Sequence, residues 1–239
     1  MSYLKPVNSC QTCVIRNRAI CSSLNEQELE TLNRIGRRVT VHRGQTLMWE
    51  GDDSSLVANV IDGVLKLSTS TADGREQIVG VVYPSDFIGR PFGTTTQHSV
   101  TALCDATVCM FTRAAFDEFA REHPELGHKL LERTLTELDR ARHWMLLLGR
   151  KSAGERVATF LLEMAQRLAE SHCTTKADRV DRFDLPLSRQ QMADLLGLTI
   201  ETVSRQLTRL RQAGIIDLPD RRAVVILDHE AMEAEAGNG

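Results

Sequence analysis

The sequence predicts an α+β protein made of an N-terminal antiparallel β-roll, a long helix and a C-terminal winged helix-turn-helix. Short β-branched runs separated by turn residues extend from Arg38 to about Phe111, which is typical of a small antiparallel roll. A helical hydrophobic period replaces them between Leu126 and Leu148. Two short helices joined by a glycine-containing turn follow closer to the C-terminus.

Composition and charge exclude several classes of protein. The 239 residues are 42% hydrophobic, which is enough for one large domain or two modest ones. The first twenty residues lack the features of a signal peptide, and no apolar run approaches the ~18 residues that span a membrane. We therefore expect a cytoplasmic protein that does not bind membranes. The formal net charge of -3 gives no overall sign of nucleic-acid binding, so charge has to be read locally.

The first predicted segment, residues 1–24, is rich in cysteine. Cys10, Cys13 and Cys21 lie within twelve positions in "SCQTCVIRNRAIC", which we interpret as a flexible polar loop. Because cytoplasmic thiols stay reduced, the cluster favours a metal or redox site over disulfides. Burial as small hydrophobic residues is the alternative. Three thiolates leave a fourth ligand to be found, and the candidates are Cys104, Cys109 and Cys173.

The second predicted segment, residues 25–125, is the β-roll. It opens with a short helix, because Asn25 followed by Glu28 forms a capping pattern and Gly36 stops the helical period. Turn signals such as Asp73-Gly74 then separate the short strands. The pattern of strands with regular breaks indicates a sheet that folds back on itself.

The third predicted segment, residues 126–149, is a long helix with an apolar stripe. One possibility is that the stripe packs on the chain's own roll; we favour a parallel homodimer seam. The stripe residues alternate as a and d positions of a heptad: Leu131, Thr134, Leu138, Ala141, Met145 and Leu148.

The fourth predicted segment, residues 150–239, contains the helix-turn-helix. Ser188 with Gln191 caps one helix, Gly197 breaks the chain, and Thr199 opens a second helix that ends at Gly214. The second helix has an apolar side for packing and a polar side with groups that bond to base edges. After Gly214, "IIDLPDRRAVVILD" predicts two strands around a turn, which forms the wing. The alternative is a solvated hairpin whose arginines do not contact DNA. The residues that we expect to contact DNA are Glu201, Ser204, Arg205, Thr208, Arg209, Ser188, Arg221 and Arg222.

The order of roll, long helix and winged helix, together with "LGLTIETVSRQLTRL", resembles the CRP/FNR family of bacterial transcription regulators. Glu201, Ser204 and Arg205 match the E-x-x-S-R pattern with which FNR-type members read bases. The resemblance implies a regulator rather than an enzyme, bound as a homodimer to double-stranded DNA with a TTGAT…ATCAA-like palindrome. It also implies RNA polymerase as a partner, touched by loops such as "STADGREQ" at 70–77.

Two branches of that family differ in the signal that they receive. Members that bind a cyclic nucleotide carry a glutamate and an Arg-Ser pair in the region that is "IGRPFGTTTQHSV" here, where Arg90 replaces the glutamate and His98-Ser99 replaces the pair. A phosphate would lose its bidentate partner, so we expect no cyclic nucleotide.

The FNR branch instead implies a 4Fe-4S cluster held by Cys10, Cys13, Cys21 and a fourth cysteine. The segment "TVCMFTRAAFDEF" matches the family pattern at Cys109, and Cys104 is the rival ligand. We therefore expect an oxygen- or redox-responsive regulator whose cluster controls dimerisation and DNA binding. The alternatives are a cyclic-nucleotide-responsive or zinc-stabilised regulator, or an iron-sulfur electron carrier. A carrier is disfavoured, because no flavin or nicotinamide fingerprint is present and it would not need a helix-turn-helix.

Overall fold

The structure is a computed structural model that describes residues 10–171 and 181–237. The chain forms two compact units: one comprises Met1–Thr69 and Gly80–Glu137, and the other comprises Ser70–Val79 and Leu138–Gly239. The boundary between the two units falls inside the long helix. The bounds of the four segments predicted from the sequence stay a prediction. Within the described ranges, no helix is long and apolar enough to cross a membrane.

Helix α1 (Glu26–Ile35) begins at the capping pattern seen in the sequence. The Asn25 side chain accepts a hydrogen bond from the Glu28 backbone N–H at 3.0 Å, and the Glu28 carboxylate accepts one from the Asn25 N–H at 2.8 Å. These bonds satisfy two N–H groups that a helix start leaves unpaired, which confirms the predicted start.

The structure describes every residue from 36 to 112, and this range contains eight strands. They form two antiparallel four-stranded sheets, β1-β8-β3-β6 and β2-β7-β4-β5. The predicted β-roll is therefore confirmed. The strands are β1 (Gly36–Val41), β2 (Thr46–Met48), β3 (Leu56–Asp62), β4 (Leu65–Ser70), β5 (Glu76–Val82), β6 (Phe87–Gly89), β7 (Ser99–Ala102) and β8 (Ala106–Thr112).

Two hydrophobic cores lie on opposite faces of the first sheet, because successive side chains of a strand point to opposite sides. Ala58 and Met110 belong to the roll core, which joins residues of both sheets. Val57 and Phe111 face the other way. We call that second core the cysteine core; its buried members are Ile15, Ala19, Ile20, Cys21, Leu24, Leu29, Leu32, Val57, Ile61, Phe111, Phe116, Phe119, Ala120 and Leu126, and Cys10, Cys13, Ile35, Phe87, Cys109 and Leu130 pack at its edge.

Three helices follow the strands: α2 (Arg113–Glu122), α3 (Pro124–Arg150) and α4 (Ala153–Ser171). Helix α3 has 27 residues and begins two residues before the predicted segment, at a proline. Proline suits the first position of a helix because its missing N–H would have no partner there. The long helix predicted from the hydrophobic period is confirmed.

The C-terminal part contains the predicted helix-turn-helix, with α5 (Arg189–Leu196) and α6 (Ile200–Gln212). The predicted wing is present as β10 (Ile216–Asp217) and β11 (Ala223–Ile226). A third strand, β9 (Arg182–Asp184), pairs with β11, and a short helix, α7 (His229–Glu235), follows the wing. The sequence pattern did not predict β9 or α7.

Candidate metal centre and DNA-binding surface

The segment that carries the first three cysteines is anchored by apolar side chains between them. Ile15, Ala19 and Ile20 are almost completely buried in the cysteine core. Successive turns hold the backbone, with Arg16 N–H bonded to the Cys13 carbonyl at 3.0 Å and Ala19 N–H bonded to the Ile15 carbonyl at 2.8 Å. The interpretation as a flexible polar loop was therefore wrong for residues 10–24: the apolar residues fix where Cys13 and Cys21 lie.

Cys109 reaches the same core from the sheet. It lies in the middle of β8, where its cross-strand partners are Arg38 on β1 and Asn59 on β3. Cys10, Cys13, Cys21 and Cys109 all pack in or against the cysteine core. The structure thus brings together the four cysteines that the sequence and the family resemblance selected.

The four cysteines lie close enough together for the charge of one thiolate to affect the pKa of another. Burial raises the pKa of the Cys109 thiol to about 12, and Cys10, Cys13 and Cys21 contribute to that rise while Arg38 opposes it. Burial raises the pKa of Cys21 to about 11, again with contributions from Cys13 and Cys10. Cys21 and Cys109 therefore hold their protons at neutral pH, and a metal would have to displace those protons to bind the two sulfurs.

Cys104 lies elsewhere. It follows β7 in a bend, where its sulfur accepts a hydrogen bond from the Val64 N–H at 3.3 Å. The pKa of Cys104 is raised mainly by burial, and the charged groups that affect it are Asp62, Asp105 and Arg43 rather than other cysteines. Strand β7 ends at Ala102, so Cys104 lies beyond the strand and is not fixed to either face of the sheet.

The cysteine core is not a closed coordination shell. Among the described residues, no three Cys, His, Asp or Glu side chains are placed to hold a single metal ion. The five described cysteines are free thiols. Cys173, the third candidate for the fourth ligand, lies outside the described residues.

The start of α3 packs against the cysteine core. Leu126 is completely buried there, and Leu130 packs at the edge. Leu131, the first residue of the predicted dimer stripe, is the next residue along the helix. The cysteine core and the stripe therefore share the same helical turns.

The apolar stripe of α3 is largely exposed. Leu131 is 58% exposed and Met145 is 73% exposed, and Thr134, Leu138 and Ala141 are also exposed. Leu148 differs, because it is half-buried. Leu135 and Leu146 extend the exposed apolar surface beyond the residues that the heptad pattern selected. Within the described chain, the exposed residues of the stripe do not pack on the roll, which argues against that alternative.

The helix-turn-helix is held by local signals that the sequence shows. The Ser188 hydroxyl accepts from the Gln191 N–H at 3.2 Å, and the Gln191 side chain accepts from the Ser188 N–H at 2.8 Å. Gly197 ends α5 in the left-handed conformation, with φ of 61°, which a residue with a Cβ adopts at a cost. Thr199 caps α6 by accepting from the Thr202 N–H at 3.3 Å. Ser188 thus has a structural role in addition to the predicted DNA contact.

Helix α6 buries one face and exposes the other. Val203, Leu207 and Leu210 are buried in the domain. The opposite face is exposed and carries the predicted base-reading residues, which are Glu201, Ser204, Arg205 and Thr208. Hydrogen bonds at the helix start lower the pKa of Glu201, which keeps this side chain anionic and able to accept from a base amino group.

The remaining predicted DNA contacts have different surroundings. The Arg209 guanidinium is bound by both carboxylate oxygens of Glu235 on α7, with one N–O distance of 3.2 Å. In the wing, Arg221 is exposed and Arg222 is half-buried. The turn between the wing strands is fixed by the Asp220 carboxylate, which accepts from the Arg222 N–H at 2.7 Å. Arg221 is therefore presented to solvent on an ordered turn.

The segment compared with a nucleotide-binding region is bonded to the neighbouring loop. Ser54 N–H donates to the Thr94 carbonyl at 2.9 Å, and Thr96 N–H donates to the Asp52 carbonyl at 2.8 Å. Arg90 and His98 are exposed. The expectation that no cyclic nucleotide binds stays a prediction.

The segment 70–77 forms the turn between β4 and β5. Thr71 and Arg75 are joined through their backbones at 3.0 Å, and the Arg75 side chain bonds to the Asp73 carboxylate at 2.8 Å. Both Asp73 and Arg75 are exposed. The contact with RNA polymerase at this turn stays a prediction.

Comparison with family models gives two matches that together cover much of the chain. Residues 155–235 match a Crp-like helix-turn-helix domain, and residues 38–123 match a cyclic nucleotide-binding domain. The first match spans α4 to α7, and the second spans the roll and α2.

Comparison with known proteins gives close relatives over almost the full length. The chain is 44% identical over 232 residues to the transcriptional activator protein FnrL of Cereibacter sphaeroides, covering 97% of this chain and 93% of that protein. It is 41% identical over 227 residues to the nitrogen fixation regulation protein FixK of Bradyrhizobium diazoefficiens, covering 95% of this chain and 93% of the relative. Among solved structures, FixK2 from Bradyrhizobium japonicum matches with a TM-score of 0.75 and 32% identity, covering 84% of this chain and 96% of that chain.

Proposed function

Because the chain belongs to the CRP/FNR family of transcription regulators, we propose that it is an oxygen- or redox-responsive activator that receives its signal at the cysteine core through a 4Fe-4S cluster. Family membership makes the chain a DNA-binding regulator rather than an enzyme. The observation that carries the proposal is the convergence of Cys10, Cys13 and Cys21 from one segment on Cys109 of the sheet.

The residues present fit an iron-sulfur cluster in number, chemistry and charge. Four thiols are the ligand set that 4Fe-4S clusters use. They lie against an apolar core, and two cations, Arg16 and Arg38, act on the same thiols and would offset part of the cluster's negative charge. When bound, such a cluster would supply an oxygen-sensitive link between segment 10–21 and strand β8.

The packing of the cysteine core provides a route from the thiols to the dimer stripe. Ile15, Ala19 and Ile20 hold the cysteine segment on this core, and Leu126 and Leu130 hold the start of α3 on it. A change in how tightly the segment packs would alter the support for the first turns of α3. The exposed stripe that begins at Leu131 then favours or disfavours pairing with a second copy.

DNA binding is proposed to follow from pairing. Two copies joined along α3 would offer two α6 helices, which suits a palindrome such as TTGAT…ATCAA. Glu201, Ser204 and Arg205 lie exposed near the start of α6, where recognition helices meet bases. We also propose that the turn at residues 70–77 contacts RNA polymerase.

The ligand set can be tested by anaerobic purification of the protein and of two single variants. We expect the wild type to be coloured, with about four iron and four sulfide per chain for one 4Fe-4S cluster. Cys109→Ser should purify without the cluster, because its oxygen is a poor ligand for this soft site. Cys104→Ser is the matched control and should keep the colour, because Cys104 does not couple to the other cysteines.

Three outcomes contradict the proposal. A colourless wild type that contains zinc would show that the four thiols hold a structural ion. Loss of iron in Cys104→Ser but not in Cys109→Ser would show that Cys104, and not Cys109, is the fourth ligand. A protein without iron whose operator binding responds to added cyclic nucleotide would instead support the function suggested by the domain match at residues 38–123.

A further inference from the structure

A row of four residues crosses the first sheet beside the cysteine core. Strand pairing places Arg38 opposite Cys109, Cys109 opposite Asn59, and Asn59 opposite Phe87. Directly opposed residues of antiparallel strands point to the same face, with Cβ atoms about 4.5–5.5 Å apart. Cys109 therefore lies between a cation on one side and a carboxamide on the other.

The neighbouring pairs show which face this row occupies. One pair further along, Ala58 and Met110 belong to the roll core. The next pair, Val57 and Phe111, belongs to the cysteine core. Since faces alternate with each residue, the Asn59 side chain lies on the side of the cysteine core.

Asn59 is a polar residue where an apolar one would serve packing better. It is only 2% exposed, and its Oδ1 has no hydrogen-bond partner among the described residues. An unsatisfied buried polar group costs about 1–3 kcal/mol. The strand around it, "LVANVID", is otherwise apolar from Leu56 to Ile61, so Asn59 interrupts an apolar run.

We propose that Asn59 is a positioning residue whose amide N–H donates a hydrogen bond to sulfur at Cys109, either the ligand sulfur itself or a sulfide of the group that it binds. This inference rests on the proposed function. Rotation of the carboxamide by half a turn exchanges its oxygen and nitrogen and presents the N–H₂ group where Oδ1 now lies. Hydrogen bonds to the sulfurs stabilise the more negative state of an iron-sulfur cluster and tune its potential.

A pair of variants with nearly the same shape separates this role from packing. Asn59→Thr keeps a hydroxyl donor on a β-branched side chain, whereas Asn59→Val has the same shape and no donor. Each is purified anaerobically, and the loss of visible absorption is followed after exposure to air. We expect the half-life of the cluster to fall about 10-fold in Asn59→Val, as for loss of an outer hydrogen-bond partner. Asn59→Thr should retain most of the wild-type half-life.

Thermal melting of the metal-free proteins provides the second measurement. Without the bound group, Asn59→Val should melt at the same temperature as the wild type or higher, because an apolar side chain replaces an unsatisfied polar one. Equal half-lives for wild type and Asn59→Val would overturn the role of Asn59 while leaving the cluster in place. A metal-free Asn59→Val that melts well below the wild type would also overturn it, since the residue would then serve the fold. An iron-free wild type would instead overturn the proposed function.

Discussion

Arg205 and Arg209 lie one turn apart on α6, and their surroundings give them different roles. The Arg205 side chain is exposed, with a single long contact of 3.4 Å to the Thr202 hydroxyl. The Arg209 guanidinium is held by both oxygens of Glu235. Three of the five N–H groups of the Arg209 guanidinium are already bonded, two to Glu235 and one to Gln206, which leaves few donors for a bidentate contact to a base. The structure therefore favours Arg205 for base recognition.

Substitution of Arg205 tests base recognition. We expect Arg205→Ala to reduce discrimination at one base pair of the operator half-site by about 1–3 kcal/mol, the value of a bidentate contact to guanine. Arg209→Ala is the matched control on the same helix and should leave discrimination unchanged. The measurement is binding of each variant to operator DNA and to operators carrying each of the three single-base substitutions at each position, at constant salt.

Equal weakening of Arg205→Ala on operator and on random DNA would contradict this assignment, because it would show that Arg205 contacts only phosphate. Loss of base discrimination in Arg209→Ala would show that the pair with Glu235 opens on DNA.

Single residues were predictable where one local pattern decides their position. The helical period of "IETVSRQLTRL" separates Val203 and Leu207 from the exposed Glu201 and Arg205. The partner of Arg209 was not predictable, because Glu235 lies 26 residues away on a helix of seven residues. Asn59 had a signal, a polar residue in an apolar run, but its neighbour Cys109 depends on strand register.

At the scale of elements, α3 has the features of a dimer seam. A helix of 27 residues with exposed leucines at heptad spacing leaves apolar surface that a second copy can bury. Its polar positions carry ion pairs such as Lys129–Glu132 at 2.8 Å and Arg142–Asp139 at 3.1 Å. Such surface pairs contribute little to stability, so we expect the apolar stripe rather than these ion pairs to determine association.

A charge in the stripe tests the seam. We expect Leu138→Glu to raise the dimer dissociation constant of the anaerobic protein by about 10- to 100-fold, because it removes a leucine that pairing would bury and places a carboxylate in the seam. Thr136→Glu introduces the same charge on the opposite side of the helix and should leave the constant unchanged. Sedimentation under anaerobic conditions measures both, and circular dichroism checks that the helix content is preserved.

An unchanged dimer in Leu138→Glu would place the seam elsewhere. A similar loss in Thr136→Glu would show that general charge, rather than the stripe, determines association.

Elements were predictable where caps and periods are strong. Both capping boxes, at Asn25 and Ser188, mark helix starts that the structure has. The role of Gly36 was less visible: its φ of -97° is ordinary, but a Cβ there would lie 2.5 Å from the Phe111 ring. Helix α7 and strand β9 are too short for a period, and their places depend on the wing sheet and on α4.

At the scale of the molecule, the long helix contributes residues to both compact units, Pro124–Glu137 to one and Leu138–Arg150 to the other. Its first turns pack on the cysteine core, and its stripe continues into the unit that contains the helix-turn-helix. This continuity is the physical basis that we propose for coupling a signal at the cysteines to DNA binding. A ligand at the cysteines can shift the equilibrium between monomer and dimer only if it binds one of these two states more tightly than the other.

The fold of the whole chain was predictable, whereas the ligand set was only partly so. Periodicity and turn residues are sufficient for a roll, a long helix and a winged helix, because each depends on local pattern. The choice of Cys109 over Cys104 needed the family resemblance, since both are single cysteines about five residues apart near the end of the roll. The structure adds the physical difference: Cys109 lies with the other three cysteines and Cys104 does not.

The central claim, that the cysteine core controls pairing and DNA binding, is tested most directly on one anaerobic sample followed through exposure to air. Visible absorption, sedimentation and affinity for a TTGAT…ATCAA operator are measured before and after. We expect a coloured dimer to become a colourless monomer, and the operator affinity to fall by about 10- to 100-fold, as for a typical coupling between sites. A protein that loses its colour and remains a dimer with unchanged operator affinity would contradict the account.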